Sequence, residues 1–256
     1  MIHETAIIHP GAKIAAGVEI GPFSVIGEHV EIGENTVIAS HVVIKGHTRL
    51  GRENRVFQFA SLGEIPQDKK YAGEPTRLEI GDRNLIREYC NFNIGTAQDA
   101  GVTRIGDDNW FMAGVHVAHD CQIGNSTIMA NNVTLAGHVH VGDFAILGGM
   151  AAAHQFCVIG AHVIAGGGSV ILQDIPPYVM ANGHPCAPHG INSEGLKRRG
   201  FSSETIMAIK RAYKSIYRQN LSLEEARKAI DEAVAATPEL QLFQNFFAMA
   251  KRGIIR

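Results

Sequence analysis

Residues 7–44 read IIHPGAKIAAGVEIGPFSVIGEHVEIGENTVIASHVVI. Every sixth residue from Ile8 is aliphatic: Ile8, Ile14, Ile20, Ile26, Ile32, Ile38 and Ile44, and the phase runs on through Leu50, Val56 and Leu62. It pauses, returns as Ile80, Ile86 and Phe92, and slips by one residue. It then holds from Ile105 through Phe111, Val117, Ile123, Met129, Leu135, Val141, Leu147, Ala153, Ile159 and Ala165 to Ile171. A period of six fits neither an α-helix nor a simple alternating strand. It fits a parallel β-helix, in which each hexad is a short strand and a turn, and every sixth side chain stacks inward on its equivalent one coil away. Such a coil buries its apolar row only against its neighbours, so stability requires many coils. Glycine often follows the inward position, as in Ile20-Gly21, Ile32-Gly33 and Ile159-Gly160, and is expected to permit the corners.

Two polar segments interrupt the phase, GEIPQDKKYAGEPTR at 63–77 and TAQDAGV at 96–102. Both are expected to leave the prism as loops, and ordered loops on a rigid frame are where binding groups concentrate. The paired prolines Pro176-Pro177 should end the ladder near Ile175–Tyr178. Helix signals follow. Ser202 suits the N-cap of a helix through Ile206, Ile209, Tyr213 and Tyr217, and Ser222 with Glu225 makes a capping box for a second. Thr237-Pro238 starts a third, which carries Phe243, Phe246 and Phe247. The chain thus divides into a β-helix over 1–190 and a C-terminal helical domain over 191–256.

Charge is uneven along the chain. Residues 191–256 hold 12 Lys and Arg against 7 Asp and Glu, and the remainder holds 11 against 18. A basic C-terminal segment suits an acidic partner. The four cysteines form neither a CxxC pair nor a disulfide framework, and the N-terminus lacks the basic and apolar regions of a signal peptide. A reducing cytoplasm is the expected location. The run from Phe144 to Gln173 carries no Asp, Glu, Lys or Arg, yet its glycines and unbroken hexad period exclude a membrane span.

Chemistry concentrates among the thirteen histidines. In Val115-His116-Val117-Ala118-His119-Asp120-Cys121 the inward residue is Val117, which leaves His116 and His119 off the core row. His138 and His154 also fall off it, near coil corners. Three readings stand. Three histidines can hold zinc with an open position. Solenoid histidines can bond to turn backbone, as expected for His9, His29, His41, His47 and His162. A neutral imidazole can take a hydroxyl proton near pH 7, with a carboxylate such as Asp120 to orient it. The chain has no GxSxG motif, and no cysteine lies in a nucleophile context. Acyl transfer would therefore be direct attack by an acceptor hydroxyl, with a backbone N–H such as that of Gly137 as oxyanion donor.

Six segments together resemble the UDP-N-acetylglucosamine acyltransferases over nearly the whole chain: IGPFSVIG (20–27), QDKKYAGEPTRLEIGD (67–82), HVAHDCQIGN (116–125), LAGHVHVGDFAILGG (135–149), HQFCVIGAHV (154–163) and NSEGLKRRGFS (192–202). The resemblance implies a left-handed prism of three hexads per coil. It also implies a homotrimer with active sites between prisms, and transfer of a (3R)-hydroxyacyl chain from acyl carrier protein to the 3-hydroxyl of UDP-N-acetylglucosamine, the first step of lipid A biosynthesis. By that likeness His119 is the general base, Asp120 its partner and Gly137 the oxyanion donor. His116, His138, His154 and Gln155 match substrate contacts, and Asp68 and Lys70 match the sugar-nucleotide loop. Asn192, Glu194, Arg198 and Arg199 match the nucleotide segment, where a guanidinium suits a diphosphate. Gly166, Gly167 and Gly168 fall where the family measures its acyl chain, and small residues there imply a long chain.

The family implies neither metal nor organic cofactor, and no nucleic-acid partner. Its basic helices face the acidic carrier. Members read close to TIHRGT where this chain has Asn91-Phe92-Asn93-Ile94-Gly95-Thr96, so a histidine and an arginine give way to Asn93 and Ile94. Three alternatives remain: the same chemistry on a 3-amino sugar nucleotide, a hexapeptide-repeat metalloenzyme, and a non-enzymatic scaffold.

Overall fold

A computed structural model describes all 256 residues, Met1–Arg256. The hexads form a left-handed parallel β-helix. Most strands are only two residues long, and successive hexads pass to successive faces. Face I begins with Ile7–Ile8 and has nine strands, face II with Lys13–Ile14 and eight, and face III with Glu19–Ile20 and ten. On face I Ile8 pairs with Ile26, Ile26 with Ile44 and Ile44 with Leu62, so three hexads make one coil. From Ile20 onward every residue of the inward series is buried, and Ile8 and Ile14 at the open N-terminal end are half-buried.

Apart from a one-residue bulge at Gly63, where Leu62 pairs with Phe92 and Glu64 with Asn93, the chain resumes this register after both interruptions. The strand Arg77–Ile80 lies against His47–Leu50 as if the residues between Glu64 and Arg77 were not there. Likewise Val102–Ile105 lies against Arg77–Ile80 across the second segment.

The glycines after the inward position serve close approach between coils. A Cβ on Gly33 would lie 2.5 Å from the Gly51 carbonyl carbon, and one on Gly160 2.4 Å from the Pro177 nitrogen. The left-handed corner conformation itself is mostly taken by other residues, among them Phe23, Asn35, His41, Asp120, His138 and Phe156. The expectation that glycine makes the corners is thereby corrected: at most corners the third residue after the inward position, glycine only at a few such as Gly17 and Gly114, turns the chain, and the glycine after the inward position lets the next coil close on it.

The histidines expected to bond to turns also need correcting. His9 does so, its Nδ1 accepting from the Gly11 N–H at 3.1 Å. His29 instead stacks on His47, His41 lies between Phe23 and Phe59, and His162 between Phe144 and Tyr178. Equivalent corner positions stack one coil apart, so aromatic rings there meet rings.

The ladder runs further than the prolines suggested. Face II ends in a single bridge, Ile159 to Ile175, since Pro176 and Pro177 have no N–H to give. Face III gains one more parallel strand, Val179–Asn182, which then turns back antiparallel into Ala187–Ile191. Helices follow as α1 (Ser193–Arg198), α2 (Ser203–Tyr217), α3 (Leu223–Val234) and α4 (Gln241–Met249). The Ser202 cap and the Ser222–Glu225 capping box form as the sequence indicated, and Thr237-Pro238 opens a 3-10 turn that runs into α4. The short α1 gave no amphipathic signal. None of the helices is long and apolar enough to cross a membrane.

One apolar cluster fills the prism and reaches Tyr213 and Ile255, and another joins the helices to Val158 and Tyr178. The C-terminal tail is clasped by Asp174, which is fully buried. Its carboxylate accepts from the N–H groups of Val158 (2.7 Å) and Arg252 (2.9 Å), and its backbone bonds Gly253 and Ile255. Asp174→Ala should reduce unfolding free energy by roughly 3 kcal/mol, from two hydrogen bonds to a charged acceptor. Hydrogen exchange at Arg252–Ile255 should rise with it. Unchanged protection of the tail would show that the clasp is dispensable.

Candidate active site

The His119 corner lies on the edge between faces I and II. Strand neighbours normally point to opposite faces, but Asp120 sits past the strand with φ +60°. That turn brings its carboxylate back onto its neighbour, and Asp120 Oδ2 lies 2.9 Å from His119 Nδ1. Both side chains are buried. The carboxylate is held from the other side by the Thr96 N–H (2.9 Å) and hydroxyl (2.6 Å), and the Asp120 N–H donates to Thr103 Oγ1 at 2.8 Å. Burial alone would raise the Asp120 carboxyl, but the bonds from His119 and Thr96 outweigh it and hold it below the ordinary carboxylate range. A depressed carboxyl of this kind adds stability above its unfolded value and loses it as pH falls through its folded one.

With Nδ1 bound to a carboxylate, the neutral His119 ring carries its proton there and leaves Nε2 as an acceptor. Gly137, one coil on, lies directly against the ring: an added Cβ would be 2.4 Å from Cε1 and 2.6 Å from Nε2. Its N–H makes no hydrogen bond within the chain. His138 stands edge-on to His119, with ring centroids 5.1 Å apart, and stacks on Phe156 at 4.5 Å. His116, on face I beside this edge, bonds Asn91 Oδ1 through Nδ1 at 2.9 Å, and burial lowers its pKa. His154 and Gln155 continue the edge, and His154 is exposed.

Other expected residues lie elsewhere. Asp68 and Lys70 form a turn in the 63–77 loop, where Asp68 Oδ1 accepts the Lys70 N–H at 2.9 Å, and Lys70 is exposed. Gly167 lies across face I on the edge shared with face III, exposed and with a φ that admits a side chain. Arg199 lies on the edge between faces II and III, 5.1 Å above the Phe144 ring, with Nη2 on the Phe144 carbonyl and Nη1 buried without a partner. Beside it, burial and then the Arg199 charge push His162 down to about 4. Glu194 pairs with Lys197, and Arg198 is exposed.

Asn192, expected among the ligand contacts, also holds its own segment together. It is buried, its Oδ1 caps α1 at Gly195, and its Nδ2 donates to the His162 carbonyl. Its amide orients the helix that carries Glu194 and Arg198. Ile94 is a core residue, and Asn93 is buried with neither amide atom partnered. Within one chain, then, the histidine corner and the Arg199 corner occupy different edges. Thr96, Thr103, Asp99 and Phe156 were not singled out from sequence. They reach the corner over separations of 17 to 39 residues, or by stacking, and no local pattern marks them.

The comparisons agree with this architecture. Residues 174–255 match a family described as UDP-N-acetylglucosamine O-acyltransferase, domain 2, and residues 11–46 and 103–137 match the bacterial transferase hexapeptide repeat. The acyl-[acyl-carrier-protein]–UDP-N-acetylglucosamine O-acyltransferase of Thiobacillus denitrificans is 62% identical over 255 residues, covering 100% of this chain and 99% of the relative. That of Herminiimonas arsenicoxydans is 58% identical over 260 residues, with the same coverage. Among solved structures, the UDP-N-acetylglucosamine O-acyltransferase of Moraxella catarrhalis superposes with a TM-score of 0.98 at 47% identity, covering 100% of this chain and 99% of that one. The UDP-N-acetylglucosamine acyltransferase of Campylobacter jejuni gives 0.92 at 36% identity, with the same coverage. With relatives this similar over its whole length, a hexapeptide prism and a matching C-terminal domain, the chain belongs to the UDP-N-acetylglucosamine O-acyltransferase family and is an acyltransferase.

Proposed function

We propose that this chain transfers a (3R)-hydroxyacyl group from acyl carrier protein to the 3-hydroxyl of UDP-N-acetylglucosamine, in the cytoplasm, as the first step of lipid A biosynthesis. The observation that carries the mechanism is the buried His119–Asp120 pair, with Nε2 free beside Gly137. His119 Nε2 takes the proton of the sugar hydroxyl as its oxygen attacks the thioester carbonyl. The carbonyl oxygen becomes an oxyanion at the Gly137 N–H. Collapse breaks the C–S bond, and His119 returns the proton to the departing thiolate. Asp120 keeps the tautomer fixed and stabilises the imidazolium. Neither metal nor organic cofactor takes part.

The surface favours a homotrimer. The outward row of face III includes Leu85, Trp110, Ile128, Ile146 and Ile164, and face I shows Val25, Val43, Thr134, Ala152 and Val170. Their shared edge exposes Phe23, Phe59, Tyr89 and Met150, whereas face II carries the ladder Lys13, Glu31, Arg49, Glu79 and Arg104. Apolar faces meeting at an apolar edge suit a threefold assembly with that edge at the axis. Face I of one copy then meets face III of the next, and the cleft between them opens outward. His119 stands at one lip, and the next copy's Arg199 corner faces it from the other. The nucleotide binds along this segment, its diphosphate at Arg199 and Arg198 and its uridine at Glu194, and the sugar lies under Asp68 and Lys70. His116, His138, His154 and Gln155 line the donor path. The basic segment 191–256 docks the acidic carrier.

The acyl chain runs inward across face I, over Thr134, Ala152 and Val170, towards Gly167. Three coil spacings make about 14 Å along the prism, which suits a long chain. Gly167→Met should shift donor preference to chains shorter by several carbons. Identical preference in wild type and variant would mean that Gly167 is not the ruler.

The reading is tested with purified protein, UDP-N-acetylglucosamine and 3-hydroxyacyl carrier proteins of graded length, with and without chelator. Chelator-resistant transfer is expected. Transfer only to the 3-amino analogue would move the acceptor to nitrogen. His119, Asp120 and His138 bring ligand atoms within 4.8 Å of one another. Loss of activity with chelator would assign that cluster to a metal and overturn the base mechanism.

A further inference from the structure

Asp99 lies in the second insertion, between the strands Asn91–Asn93 and Val102–Ile105. Its Oδ2 is 2.8 Å from His138 Nδ1, across 39 residues of chain. His138 is largely buried while Asp99 is half exposed. On the opposite side of the ring, Nε2 is 3.8 Å from Asp120 Oδ2, the carboxylate that also holds His119. Phe156 lies nearly parallel to the ring, 14° from coplanar, and so fixes its plane. The Asp99 bond fixes its rotation within that plane. Two of the site's carboxylates thus depend on one short loop, since Thr96 at its start binds Asp120 twice and Asp99 within it binds His138.

We propose that Asp99 is a positioning residue for the acyl transfer: it holds His138 through Nδ1, so that the ring presents Nε2 to the pocket shared with His119 and Gly137. The hydrogen bond at one imidazole nitrogen decides the state of the other. A ring fixed in plane and rotation keeps Nε2 aimed at the reacting groups, where a small misplacement is costly. The charged and titratable groups facing His138 are Asp99 from the insertion, His119 and Asp120 from the preceding coil, and His140 from its own coil. Phe156 from the following coil adds no charge.

This inference rests on the proposed acyl transfer, but half of its test does not. Asp99→Ala and Asp99→Asn are made in the full-length protein. The Asn variant keeps an oxygen that accepts from Nδ1–H and loses only the charge. Asp99→Ala should lower kcat about tenfold or more, with KM for the sugar nucleotide within about twofold of wild type. Asp99→Asn should recover much of the rate, because its amide oxygen still holds the Nδ1–H. Separately, 15N NMR of the histidine rings should find the His138 Nδ1 proton in wild type and Asp99→Asn, and its loss from neutral His138 in Asp99→Ala. Equal losses in both variants, or His138 nitrogen signals indifferent to Asp99, would overturn the proposal and leave Asp99 a loop residue. Absence of any transfer by wild type would refute the reaction instead, and the NMR comparison would still decide whether Asp99 sets the state of His138.

Discussion

His119→Ala should lose about 10³-fold in kcat while staying folded. No other imidazole at this corner has both a buried carboxylate on one nitrogen and a free nitrogen against Gly137: His116 bonds an amide, and His138 is held by Asp99. Removing the ring leaves a sugar hydroxyl with no group to take its proton. Asp120 keeps both of its Thr96 bonds, so the corner should hold its shape, with a stability loss of about 1–2 kcal/mol for the missing partner. KM for the sugar nucleotide should change little, because the Arg199 corner and the 63–77 loop are untouched. Steady-state kinetics alongside thermal unfolding check this. A loss of less than tenfold in a folded variant would mean that the proton goes elsewhere.

Gly137→Ala should be nearly as damaging through a single methyl group. The backbone at Gly137 is not in the left-handed region, so alanine brings no conformational strain. Its Cβ would nevertheless sit 2.4 Å from His119 Cε1 and 2.6 Å from Nε2. The ring must swing away, which breaks its 2.9 Å bond to Asp120 and carries the base off the oxyanion donor. A displacement near 1 Å at the reacting groups is worth about 10²-fold, and the expected loss in kcat is at least that. Gly149→Ala is the control: its Cβ would meet nothing closer than 3.4 Å, and both activity and melting temperature should match wild type. Full activity in Gly137→Ala would show that the ring can shift without penalty, and the base assignment would then need another residue.

The prism was legible because its signal is repeated. An inward aliphatic at every sixth position is a direct record of stacking, and each such residue from Ile20 on is buried. The caps at Ser202 and Ser222 were readable because capping is a contact over three residues. The extra strand Val179–Asn182 was not, because Pro176-Pro177 ends the ladder on one face only. Of the site, the residue types and the corner could be read, and the resemblance supplied roles. The pairing of His119 with Asp120 ran against strand geometry and became possible only through the left-handed φ at Asp120, which a sequence does not display. The contributions of Thr96, Thr103 and Asp99 depend on where the 96–102 loop folds back.

Both loops rejoin the prism in register, with one bulge at Gly63 where the first departs: Arg77–Ile80 meets His47–Leu50 residue for residue, and Val102–Ile105 meets Arg77–Ile80 in the same way. Frame and attachments are thus separable heritable units. A change of length or sequence between Glu64 and Arg77 does not propagate into the stacked rows beyond, so selection can revise that loop while the coil that bears His119 stays fixed. The loop that carries Thr96 and Asp99 has less freedom, because it touches the chemistry directly. Within one lineage, drift should be fast in the first loop, slow in the second, and slowest in the rungs that both leave undisturbed.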